Sequence, residues 1–141
     1  MQPRYAVTLL ILVGVIIGGA AVQTLHAQMK PPAYLIALNE VTNQEAYLRE
    51  FSIPSRASVK AAGGRYIILG GKITPLDGEP PKTRIVIQVW DSLEKLQAFY
   101  NSPEFVAARK IGMKHATFHT FAVEGVTADR MSAFDQSGHQ S

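Results

Sequence analysis

Residues 33–41, "AYLIALNEV", crowd apolar and β-forming residues into a run too short for a helix, closed upstream by Pro31 and Pro32, and so predict a strand. The period then changes. Thr42 followed by Glu45 has the spacing of a capping box, and Tyr47, Leu48 and Phe51 recur at helical intervals, so a helix is expected to start at Thr42. Pro54 should break or kink it before "SRASVKAA" resumes helical character, and Gly63-Gly64 should stop it. "RYIILGG" at 65–71 and "KTRIVIQVW" at 82–90 read as two more strands, joined by a wide turn that contains Pro75, Asp77-Gly78 and Pro80-Pro81. In the second of these strands Ile85, Ile87 and Val89 alternate with Arg84, Val86, Gln88 and Trp90. The expectation is that the first set faces the helices and the second faces away.

Asp91 or Ser92 should cap the next helix, which carries Leu93, Leu96, Phe99 and Tyr100 on one face. "YNSPEF" at 100–105 then bends and restarts the chain. Ser102 is a new cap, Pro103 takes the first helical position, where its missing N–H has no partner to lose, and Glu104 sits against the positive helix end. Gly112 weakens that helix, "HATFHTFAVEG" reads as the fourth strand, and the polar tail 127–141 is expected to be disordered.

The order strand, helix, strand, strand, helix, strand is the ferredoxin-like βαββαβ arrangement, an α+β fold with a four-stranded antiparallel sheet and helices on one face. The other face is left bare. A second copy laid face to face would cover it and enclose a space between the two sheets, so a homodimer is expected.

Ahead of this domain, residues 1–27 place Arg4 before an uncharged apolar run from Ala6 to Val22 and then Leu25-His26-Ala27, with small Ala27 suited to the last position before a secretory cut. The run also just reaches bilayer-spanning length, so a cleaved signal peptide and a membrane anchor over residues 6–22 both stay open. Either reading delivers the 33–126 domain across the membrane, to the periplasm or the exterior, with membrane contact only if the segment is uncleaved. The formal net charge is +3 with the basic residues scattered, which gives no nucleic-acid footprint. The absence of cysteine excludes disulfides, thiolate metal sites and a thiol nucleophile.

"AYLIALNEVTNQEAY", "AAGGRYIILGGKITPLDGEPPKTRIVIQVWDS", "FYNSPEF" and "FAVEGV" together resemble the domain-of-unknown-function 1330 family of the dimeric α/β-barrel group, over about residues 33–126. The resemblance implies the fold, dimerisation and an exported branch of the family, and it implies no established reaction. Many members of the family place an arginine where Gly112 stands here, so a site that depends on that guanidinium is in question; Arg65 stands as the family has it.

Arg65, Arg84, Trp90 and His119 are the candidate ligand-binding residues, on the sheet face away from the helices. A guanidinium would hold a carboxylate or enolate, and Trp90 would stack on a planar ligand. Arg84 and Trp90 serve equally well as dimer-interface residues. His115 and His119 lie four apart, but in a strand, with no evident third ligand, so no metal is expected and no cofactor is implied. The reading is an exported homodimer that binds a small planar or anionic molecule; the alternative is a cofactor-independent enzyme, oxygenase-like or isomerase-like, with Arg65 or His119 steadying an oxyanion.

Overall fold

The computed structural model describes residues 30–137. The segment read as signal peptide or anchor, residues 1–27, lies outside them. Strand β1 (Ala33–Val41) leads into α1 (Gln44–Tyr47), a π-helical turn (Leu48–Ser52) and α2 (Ile53–Ala61). Strands β2 (Arg65–Leu69) and β3 (Arg84–Trp90) follow, then α3 (Leu93–Tyr100), α4 (Pro103–Gly112), β4 (Ala116–Glu124) and α5 (Ala128–Ser137). The sheet order is β2-β3-β1-β4 with every neighbouring pair antiparallel, which is the expected ferredoxin-like arrangement.

Three local expectations change. The first cap is Asn43 rather than Thr42: Asn43 Oδ1 accepts from the Ala46 N–H at 3.1 Å, while Thr42 Oγ1 donates to the carbonyl of His115, clamping the helix entry to the α4–β4 turn. Of the two outcomes expected at Pro54, the break does not occur and the distortion does. The preceding turn widens, with the Ile53 N–H bonded back to Leu48 O, and this makes room for the proline ring near the start of α2. The third change is at the C-terminal end, where the segment read as disordered tail carries α5, a helix with no buried residue.

The other helix boundaries match the reading. Ser102 Oγ accepts from the Phe105 N–H at 3.3 Å, with Pro103 opening α4. Gly63, at φ 97°, stops α2, and Gly64 lies directly under the indole of Trp90, where a Cβ would come within 2.5 Å of the ring.

The two faces of β3 are the reverse of the expectation. Val86, Gln88 and Trp90 are buried beneath the helices, with Arg84 on the same side, whereas Ile85, Ile87 and Val89 are half-buried on the bare face. Trp90 fixes this choice. It is 1% exposed, stacks on Phe99 at 4.9 Å, and its Nε1 donates to Gln88 Oε1. The bare face is therefore more apolar than expected, with Ile36 and Leu38 of β1 beside Ile85 and Ile87 of β3 and Phe121 at the β4 edge.

The core lies between sheet and helices and is largely aromatic. Tyr47, Phe51, Phe99 and Phe105 are all buried, as their helical spacing implies, and each ring withdrawn from water contributes about 1.5–3 kcal/mol. Phe51 packs on Phe118 with centroids at 5.1 Å, and Phe99 packs on Phe105 at 4.4 Å.

Candidate functional site

β1 presents Ala33, Leu35, Ala37 and Asn39 inward at every second position, so its fourth inward residue carries an amide into an apolar layer. Asn39 is 4% exposed. Its Nδ2 donates to the Tyr47 hydroxyl at 2.9 Å, while its Oδ1 is buried without a hydrogen-bond partner. Across from it, the widened turn and α2 bring in Ser52 and Ser55, and the Ser55 hydroxyl is likewise buried and unpartnered. An unpaired buried polar group costs about 1–3 kcal/mol, so two on residues around one space set that space apart from the rest of the core.

That space is a cavity of about 40 Å³ between sheet and helices, where Asn39, Tyr47 and Ser55 meet Tyr66, Gln88 and Arg109 among aromatic walls. Arg109 comes from α4, one turn after Phe105. Its guanidinium lies 4.1 Å over the Tyr100 ring and its Nε is buried without a partner. Among the described residues, no carboxylate, lysine or histidine lines this cavity. Burial pushes the Tyr47 phenol up, against the Asn39 hydrogen bond and the Arg84 charge that pull it down, so it remains a protonated donor at neutral pH. Burial also raises Tyr66, with the neighbouring Tyr47 adding to it.

A second cleft of about 230 Å³ adjoins this cavity. It lies between α3 and β4, is lined by Leu96, Gln97, Asn101 and Ala122, and shares Leu35, Tyr100 and Thr120 with the inner space.

The four residues expected to gather on the bare face do not meet. Arg84 and Trp90 point to the helices. Arg65 pairs with Val89 on strand β2 and His119 pairs with Leu38 on strand β4, so those two share the bare face but stand at opposite edges of the sheet. Trp90 is enclosed by Phe99, Gly64 and Gln88, which leaves no ring face for a ligand or for a partner copy. Arg84 alone lies near the cavity: its Nη2 donates to Leu69 O, and its guanidinium sits 6.0 Å from the Tyr47 ring centroid. His119 lies 3.6 Å from Glu40, and His115 faces elsewhere, its Nε2 lying 2.8 Å from Glu50 Oε2. Among the described residues, no group of three metal-ligating side chains occurs.

At Gly112 an added Cβ would fall 2.7 Å from Phe118 and from Phe51, so the ring cluster occupies the room an arginine side chain would need there. The guanidinium that reaches the cavity comes instead from Arg109, one turn earlier on the helix. Arg109 and Asn39 were missed in the sequence. Their signals were an asparagine in step with Ala33, Leu35 and Ala37, and an arginine four residues after Phe105, on the same helical face.

The family model described as Domain of unknown function (DUF1330) matches residues 32–126. No curated protein matches the chain. Among solved structures, SnoaB, a cofactor-independent oxygenase from Streptomyces nogalater, superposes with a TM-score of 0.53 at 11% identity, covering 70% of this chain and 96% of that one. RPA0582, a protein of unknown function from Rhodopseudomonas palustris, does so with a TM-score of 0.50 at 13% identity, covering 77% and 93%. At such identities the likeness is one of fold.

Proposed function

This chain belongs to the DUF1330 family, a domain of unknown function, and we propose that it is an exported homodimer that binds a small planar or anionic molecule in the cavity between its sheet and its helices. The observation that carries the reading is a cavity lined by Asn39, Ser55 and Arg109, each of which has a buried side-chain atom without a hydrogen-bond partner. The adjoining cleft of about 230 Å³, lined by Leu35, Leu96 and Tyr100, suits a flat molecule, and a guanidinium with no carboxylate beside it in the cavity suits a negative one. Arg84 supports the site from behind Tyr47. The dimer is supported by the continuous apolar surface of Ile36, Leu38, Ile85 and Ile87, with Arg65 and His119 as its polar margins. Export is supported by the charge and apolar pattern of residues 1–27.

Thermal melting of the full chain against a panel of planar aromatic acids, phenols and neutral arenes tests the binding. A cavity ligand at about a hundred times its dissociation constant adds about 2.7 kcal/mol of stability, a readily measured rise in Tm. A panel that leaves Tm unmoved at millimolar concentration removes the reading.

A second reading, a cofactor-independent enzyme of oxygenase or isomerase type, is favoured by Tyr47, a protonated phenol held in place by Asn39 that is able to donate to a developing oxyanion. The fold is also that of SnoaB, itself a cofactor-independent oxygenase. Turnover separates the two: incubation of bound compounds in air yields product under this reading and returns them unchanged under the first.

A further inference from the structure

We propose that two copies stack their bare sheet faces end for end, so that Arg65 of each copy pairs with the partner's Glu40. This rests on the reading of the chain as a dimer through that face.

The face carries opposite charges on either side of an apolar middle. Cross-strand pairing sets Ile68, Ile87, Ile36 and Phe121 in one row, and Ile85 and Leu38 in the next, with His119 at its edge. Beyond the first row, Arg65 stands level with Val89 and Tyr34. Beyond the second, Glu40 stands level with Thr117. Among the described residues that the four strands turn to this side, Arg65 is the one arginine or lysine and Glu40 the one carboxylate. The levels of Tyr34 and Glu40 lie about 20 Å apart along β1, and Ala37 falls midway, between the rows of Ile36 and Leu38.

Symmetry then selects the stacking. Two identical copies laid face to face are related by a two-fold axis lying between the sheets. An axis along the strands puts both Arg65 side chains at one end of the dimer and both Glu40 side chains at the other, so like charges gather and neither finds its opposite. An axis across the strands at the level of Ala37 exchanges the ends. The isoleucine rows then cover one another, and each Arg65 comes to the end of the partner that carries Glu40, so opposite charges meet twice. Both side chains are exposed, with the Glu40 carboxylate only loosely engaged by His119 at 3.6 Å. Charged pairs at the rim of an apolar interface act mainly on register, which is the role assigned to these two.

Sedimentation equilibrium of the full chain measures the pairing as a dimer dissociation constant. Arg65→Glu and Glu40→Arg should each weaken the wild-type dimer about tenfold, because each replaces two attractive contacts by two repulsive ones. The doubly exchanged protein should recover to within about threefold of wild type, since exchange restores both pairs. Both positions are exposed, so all three variants should keep the wild-type circular dichroism spectrum. A double exchange that associates no better than the weaker single variant, or single exchanges that leave the constant unmoved, overturns the pairing and leaves the dimer standing. A wild-type chain that sediments as a monomer overturns both.

Discussion

Asn39 Nδ2 donates to the Tyr47 hydroxyl at 2.9 Å, tying the inner face of β1 to the first helix and leaving the other end of the amide without a partner. A bond that satisfies one half of a buried amide and strands the other is a poor device for stability and a good one for holding an acceptor in place. Stability and binding should therefore separate at this residue. In Asn39→Leu the removal of a stranded oxygen offsets the loss of the Tyr47 bond, so denaturant unfolding should shift by no more than about 1 kcal/mol. Ligand-induced stabilisation should be lost. A variant that unfolds several kcal/mol more easily would show the amide to be structural.

The restart at Ser102-Pro103 was legible because the constraint is local: a cap oxygen and a missing N–H act within one turn. The facing of β3 was not. Ile85, Ile87 and Val89 look more like an inner face than Val86, Gln88 and Trp90, and what decides between them is the non-local fit of Trp90 against Phe99 and Gly64, together with the Gln88 acceptor for its N–H. Alternation gives the period of a strand, and its phase is ambiguous when both faces carry apolar residues. The candidate site inherited that phase error, which put Arg84 and Trp90 on the wrong side and drew attention away from Asn39 and Arg109. His115, considered for its imidazole, matters for its carbonyl as well, which accepts from the backbone N–H of Thr42 at 2.9 Å.

Gly112→Ala sets helix propensity against packing. Alanine favours the helix by about 1 kcal/mol, but its methyl would press on the rings of Phe51 and Phe118, and overpacking rigid side chains costs about 1–3 kcal/mol. The net expectation is a destabilisation of about 1 kcal/mol in chemical denaturation. A more stable variant would show that the ring cluster gives way easily.

Glu50 links the π-helical turn to His115, and its carboxyl is held below the usual range chiefly by that bond and secondly by Arg49. Because the folded value is the lower one, its stabilisation is present above the ordinary carboxylate pKa and is lost as pH falls through the lowered value. Wild type and Glu50→Gln should differ at pH 6 and converge in acid once the carboxyl is protonated in both states. A constant difference across the pH range would exclude the linkage.

The bare face is tested at Ile87, which pairs with Ile36 on one side and Ile68 on the other. A charge there would be buried in the proposed dimer and solvated in a monomer. Ile87→Arg should give half the mass of wild type in sedimentation equilibrium while keeping its circular dichroism spectrum. Equal masses for the two proteins would remove the dimer through this face.

The cavity itself is most directly tested by proton–nitrogen NMR during titration with the planar aromatic acid that raises Tm most, read at the Asn39 side-chain amide and the backbone amides of Ser55, Phe105 and Arg109. The account predicts that these signals move together and saturate with one ligand per chain, while those of Ile36, Ile85 and Ile87 on the far face of the sheet move less. Shifts confined to that far face would place the ligand between two copies and contradict a site inside each one.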